Sequence, residues 1–199
     1  MKKIIMYNMV SIDGYFAGTN GELDWHNVDE EFNEYAIQFL DTVDTIMLGR
    51  ITYELFESYW PNALTDPKTS PNERIIAQKI NDHHKIIFSE TKTDVSWNNS
   101  EVLSQINTGE IRKLKTASPS STTMDSGSAT KNIVIYGSGT IVQQLTNLGL
   151  IDEYRFIVNP IILGAGKPLF ADITGRISLT LLETKKFTSG NVLLTYTLR

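Results

Sequence analysis

The most constraining part of the chain is residues 132–170, NIVIYGSGTIVQQLTNLGLIDEYRFIVNPIILGAGKPLF. An apolar run over 133–136 stops at Gly137-Ser138-Gly139, and a short helical segment follows. A second apolar run over 154–158 then leads into the glycine-rich loop Gly164-Ala165-Gly166-Lys167. A strand that turns on glycine straight into a helix aims the unpaired N–H groups of the first helical turn past the strand end, a geometry suited to an anion. The rest of the chain is expected to build a sheet and a cleft around this turn.

Residues 3–10 form a dense apolar run, suited to a strand buried on both faces and broken by Asn8. It ends at the loop signal Ser11-Ile12-Asp13-Gly14. Residues 15–27 read as a long loop with Trp25 near its end. A helix is expected over 29–40, with an acidic first turn and Phe32, Tyr35, Ala36 and Phe39 on one face. A second strand over 45–48 closes at Gly49, and a helix over 50–59 starts there, with Leu55, Phe56 and Tyr59 inward. Another helix is expected over 72–80, a third strand over 85–88, a short edge strand over 95–97 and a weak helix over 102–114. Residues 117–130 show no periodicity and read as a mobile surface insertion. The last residues, 177–199, alternate on either side of Thr188-Ser189-Gly190-Asn191 and predict a β-hairpin. Together these imply an α/β fold with a mostly parallel sheet, helices on both faces and an antiparallel C-terminal edge.

At 199 residues the chain is expected to be one domain spanning 1–199. A net charge of −5 argues against nucleic-acid binding. The absence of cysteine excludes disulfides and thiolate-held metal, and His26, His83 and His84 show no ligand spacing, so no metal is expected. The N-terminal apolar run is too short for a leader or a span, and a cytoplasmic location is expected.

Gly137-Ser138-Gly139-Thr140 lacks the third glycine of the dinucleotide fingerprint, because position 142 is Val142. It serves equally as a phosphate cradle or as a plain strand-to-helix turn. The loop before Lys167 fails the P-loop pattern, since Pro168 follows the lysine. Gly49-Arg50-Ile51-Thr52 places an arginine in a first helical turn, where the dipole disfavours it unless an anion sits there. Ser89, after the third strand, could bring a hydroxyl to the same crevice. Asp13 and Glu31 are the candidate acids; against this, Asp13 is an ordinary turn former and Glu31 an ordinary first-turn residue.

The ordered set Ser11-Ile12-Asp13-Gly14-Tyr15, Leu48-Gly49-Arg50-Ile51-Thr52-Tyr53-Glu54, Phe88-Ser89, Tyr136-Gly137-Ser138-Gly139, Leu150-Ile151-Asp152-Glu153, Pro160-Ile161-Ile162-Leu163-Gly164 and Gly166-Lys167-Pro168-Leu169-Phe170 resembles the dihydrofolate-reductase-like superfamily. Within it, the sequence is similar to the branch holding the C-terminal reductase domain of the riboflavin-biosynthesis deaminase–reductase. That resemblance implies a dihydrofolate-reductase fold, NADPH as hydride donor and a small heterocyclic substrate such as 5-amino-6-(5-phosphoribosylamino)uracil. It implies Arg50, Ile51 and Thr52 at the NADPH phosphates and Ser89 near the adenosine end. Gly137, Ser138, Gly139, Thr140 and Ile141 would cradle the pyrophosphate and nicotinamide half. Asp13 would line the substrate side, with Trp25, Gly166 and Lys167 near substrate, and for the acid that dihydrofolate reductases carry on the first helix the chain offers Glu30 and Glu31. A homodimer is the expected assembly. Dihydrofolate reduction and nucleotide binding without catalysis are the alternatives.

Overall fold

The computed structural model describes residues 1–116 and 131–199, so the expected insertion at 117–130 lies outside the described residues. Ten strands and five helices are seen in that range. The strands are β1 (Ile4–Val10), β2 (Tyr15–Ala17), β3 (Val43–Gly49), β4 (His84–Phe88), β5 (Ser100–Leu103), β6 (Asn132–Gly137), β7 (Glu153–Val158), β8 (Lys167–Pro168), β9 (Leu179–Lys186) and β10 (Val192–Leu198). The helices are α1 (Glu30–Asp41), α2 (Arg50–Ala63), α3 (Pro71–Asp82), α4 (Thr108–Thr116) and α5 (Gly139–Asn147).

Eight strands form one sheet in the order β5-β4-β3-β6-β1-β7-β10-β9, and β2 pairs separately with β8. The pairings from β5 through to β7 are parallel. β7–β10 and β10–β9 are antiparallel, so the C-terminal hairpin closes the sheet on one side. Strand alternation sends apolar residues to both faces. Ile5, Tyr7, Ile46 and Leu48 meet α1, α2 and α3, while Ile4, Met6, Met47 and Ile86 meet α4 and α5.

Helix starts differ in a way that matters later. Asp29 caps α1 by accepting from the Phe32 amide at 2.8 Å. Ser70 caps α3 by accepting from the Glu73 amide, with Pro71 in the first turn. The starts of α2 and α5, at Gly49 and Ser138, carry no side-chain cap.

Four expectations are corrected. Residues 95–97 are not a strand: Trp97 is buried, donates to Asn81 Oδ1 at 2.7 Å and lies beneath the Lys85 ammonium. The sheet edge is β5 instead, parallel to β4, and takes up residues expected to begin a helix. That helix starts only at Thr108, where Asn107 accepts from the Gly109 and Glu110 amides. The loop expected over 15–27 begins with strand β2, recruited by the glycine-rich loop through β8. In α2, Tyr53 is fully buried while Leu55 and Tyr59 are exposed. Two apolar sets overlap there, and the phase that seats Tyr53 under Trp97 prevails.

Candidate active site

The parallel strands bring their C-terminal ends to one side of the sheet. Leu48 of β3 is opposite Gly137 of β6, and Gly49 is opposite Phe88 of β4. The starts of α2 and α5 therefore lie side by side. A Cβ on Gly49 would fall 2.5 Å from Ser138 Oγ, and one on Gly137 would fall 3.1 Å from Thr52 Oγ1. Gly137 has φ +132°, a conformation that L side chains rarely adopt, and the Gly137–Ser138 peptide is cis.

One strand further along, the sheet parts. β1 pairs with β6 only from Ile4 to Met6, yet it pairs with β7 as far as Val10. The gap is crossed by Asn8, whose side-chain N–H donates to the Tyr136 carbonyl at 3.0 Å. A cavity of about 750 Å³ opens there. Ile51, Thr52, Ser138, Gly139 and Thr140 line it from the paired helix starts, and Phe32, Asn33, Ala36 and Leu40 line it from α1.

The residues expected at the site are therefore divided. Ile51, Thr52, Ser138, Gly139, Thr140 and Lys167 line the cavity. Gly137 shapes the turn beneath them. Ile141 faces the core, and its amide returns to the Ser138 carbonyl at 3.1 Å. Arg50 stands at the start of α2 but pairs with Glu54 at 3.0 Å on the surface. Ser89 Oγ accepts from the Thr91 and Lys92 amides, shaping the turn after β4. Trp25 donates to the Glu22 carbonyl, and Gly166 packs so closely on β2 that a Cβ would fall 2.5 Å from the Ala17 carbonyl.

Neither candidate acid is among the cavity-lining residues. The Asp13 carboxylate accepts from the Ser11 hydroxyl at 2.6 Å and from the Leu163 and Gly164 amides at 3.1 and 2.8 Å. The Ser11 bond, aided by those amides, holds it below its usual value. Glu31 accepts from the Thr188 amide and hydroxyl and pairs with Lys185 at 3.0 Å. Lys185 first, then Thr188, pushes it down to about 2. Both carboxylates clamp loops; on α1 the polar side chain that lines the cavity is Asn33.

Three polar groups that the sequence reading did not single out for a site are conspicuous. The Tyr7 hydroxyl, Asn8 Oδ1 and His26 Nε2 are buried without a hydrogen-bond partner, and all three residues line the cavity. Burial keeps Tyr7 protonated, its pKa well above the usual value, and pushes His26 down to about 4, so both are uncharged near neutral pH. Asn8 did leave a sequence signal, as the polar residue interrupting an otherwise apolar strand.

A parallel sheet split beside two adjacent, uncapped helix starts defines an α/β domain of the dihydrofolate-reductase type. The sequence model of the RibD C-terminal domain matches residues 2–193, and the chain belongs to that family. It is 33% identical over 195 residues to the uncharacterized protein YyaP of Bacillus subtilis, covering 98% of this chain and 94% of that one. The uncharacterized protein YwjB of the same organism is 30% identical, with 94% and 92% covered. Among solved structures, a protein from Shewanella sp. PV-4 superposes with a TM-score of 0.70 at 22% identity, covering 100% and 99% of the two chains. Dihydrofolate reductase from Enterococcus faecalis, complexed with NADP(H), gives 0.60 at 16% identity, with 99% and 96% covered. The Thermotoga maritima deaminase/5-amino-6-(5-phosphoribosylamino)uracil reductase gives 0.62 at 12% identity; all of this chain spans 57% of that one. Among the described residues no helix is long and apolar enough to cross a membrane.

Proposed function

We propose that the protein is an NADPH-dependent reductase of a small heterocycle, acting on a C=N or C=O bond. The observation that carries this reading is the pair of uncapped helix starts set side by side at the mouth of the cavity. Two positive dipole ends without an internal counter-anion fit a pyrophosphate. Gly49 and Gly137 let the two starts approach closely, which a Cβ at either position would hinder.

The first turns of α2 (Arg50, Ile51, Thr52) and α5 (Gly139, Thr140) would hold the phosphates, and Phe16, packed over Gly139, would wall the turn. When bound, NADPH supplies a hydride from its nicotinamide. The chain's own part is to orient the acceptor ring, exclude water and provide for the proton that joins the heteroatom as carbon takes the hydride. Among the described residues, α1 brings Asn33 and no carboxylate to the cavity lining, so the proton would come from a hydroxyl or from water. This weighs against dihydrofolate as substrate.

Calorimetric titration with NADPH tests the reading: saturable binding at micromolar to submillimolar concentration is expected, and oxidation of bound NADPH on adding an acceptor heterocycle. No saturation at millimolar NADPH would refute it.

A further inference from the structure

Unpaired polar groups carried by residues of the cavity wall bear on the molecule it receives. Burying a hydroxyl, an amide oxygen or an imidazole nitrogen without a partner is costly, and such groups in a folded protein call for an explanation. Here three residues that carry such groups line one cavity. Tyr7 and Asn8 are each 6% exposed, so water in bulk does not satisfy them. Each is neutral: a phenol that donates or accepts, an amide oxygen that accepts, and an imidazole held uncharged by burial.

The wall that continues from Tyr7 is aromatic. Tyr7 meets Tyr136 edge-on at 5.6 Å, Tyr136 meets Phe56 at 5.6 Å, and Phe56 meets Trp60 at 6.0 Å, a continuous aromatic chain along the cavity. Formal charge is confined to the rim. Among the described lining residues the only lysine or arginine is Lys167, exposed and beside Glu22. The lining carboxylates are Asp172, exposed, and Glu73, which accepts from the Tyr59 hydroxyl. A phosphate on the substrate would find no arginine fork in the interior, and a protonated pterin would find no buried carboxylate.

We infer that the substrate is an uncharged, unphosphorylated planar ring whose hydrogen-bonding edge is read by Tyr7, Asn8 and His26, within the aromatic chain that runs from Tyr7 to Trp60. This rests on the reductase reading and narrows it. The phosphoribosylated pyrimidine of the bifunctional relatives is then a poor ligand, and the reaction that supplies the substrate delivers a ring already free of phosphate.

Lumiflavin and flavin mononucleotide test this, because they share one ring and differ in a phosphorylated side chain. Each is titrated by fluorescence into the whole protein saturated with NADP⁺, and again without it. Lumiflavin is expected to bind at least about tenfold more tightly than flavin mononucleotide. Tyr7→Phe supplies a signature that a structural role cannot mimic. Deleting an unsatisfied hydroxyl leaves the thermal midpoint of the free protein unchanged or raises it, while lumiflavin binds about 5–10-fold more weakly and NADP⁺ as before. Equal or tighter binding of the phosphorylated flavin, failure of both flavins to bind, or an unchanged lumiflavin affinity in Tyr7→Phe would each overturn the inference. Lumiflavin binding without any NADPH binding would instead remove the reductase reading and leave the ring site standing.

Discussion

Gly49→Ala isolates the juxtaposition on which the cofactor reading depends. Gly49 has φ −81° and ψ 161°, an extended conformation that alanine adopts freely, so the substitution adds one methyl group and no backbone strain. That methyl would lie 2.5 Å from Ser138 Oγ and 3.1 Å from both Ser138 Cβ and the Ser138 amide nitrogen. Ordinary contact begins at 3.4 Å, so the oxygen must retreat by 0.9 Å and the Cβ and backbone by 0.3 Å. The hydroxyl can rotate, since it caps no helix. The Cβ and backbone shift cannot be avoided by rotation, and it prises the start of α5 from the start of α2. Overpacking of this kind costs about 1–3 kcal/mol. Two dipole ends no longer aimed at one pyrophosphate are expected to weaken NADPH about tenfold. Isothermal calorimetry and urea denaturation read the two effects separately. Ser138→Gly in the same chain removes both crowding side-chain atoms and is expected to restore most of the affinity. A folded Gly49→Ala protein with wild-type NADPH affinity would show that the paired helix starts do not hold the cofactor.

Two further outcomes follow from the charged groups around the site. Arg50→Ala deletes only a half-exposed pair with Glu54, so stability should change by less than about 0.5 kcal/mol; if Arg50 swings to the 2′-phosphate, affinity for NADPH falls more than affinity for NADH, whereas equal losses in paired titrations would assign it to the pyrophosphate. Glu31 is depressed from 4.5 to about 2, so the unfolded chain takes up its proton first as pH falls. Its stabilising contribution is complete above the ordinary carboxylate range and is lost toward pH 2. Glu31→Gln should therefore lower the urea midpoint at neutral pH, by a margin that shrinks between about pH 4.5 and pH 2; a margin independent of pH would refute the clamp.

Much of the architecture was legible because the relevant signals are local. The apolar runs of β1, β3, β4, β6 and β7, the alternating hairpin of β9 and β10 and the glycines at strand ends are each read within a few residues. The edge strand was missed for a physical reason. Trp97 reads as the last residue of a short strand, but its indole is a plug over the end of α3, where Lys85 donates to the carbonyls of Ile80, Asn81 and His83. No short window of sequence contains both halves of that contact. The burial phase of α2 was misjudged for a similar reason: Leu55 and Tyr59 match the helical period as well as Tyr53, and only the position of Trp97 separates them. The turns at Gly49 and Gly137 were readable as glycine patterns, but their adjacency needed the β3–β6 pairing. Tyr7 and Asn8 lay in plain view in β1, and their relevance depends on β6 leaving that strand after Met6.

The carboxylates show where reasoning from strand ends needs chemistry as well as position. Asp13 leaves β1 at the edge where ligands gather in such sheets, and Glu31 sits in the first turn of the next helix. Each faces unpaired backbone N–H groups, and a carboxylate in that setting becomes a cap. Asp13 accepts from two amides of the 161–164 loop and Glu31 from one amide of the hairpin turn. Such bonds stabilise the ionised form and lower its pKa, the reverse of what a proton donor near neutral pH requires. The same bonds that bring the loops against the sheet thus hold these acids in their ionised form, outside the cavity lining. What lines the cavity instead is neutral: Asn33, Asn8, His26 and the Tyr7 hydroxyl. On the proposed reading, a site so furnished would bind rings without charge and draw the proton for the reduced product from a hydroxyl or from water. The charged lining residues Lys167 and Asp172 are exposed, where solvent reaches them.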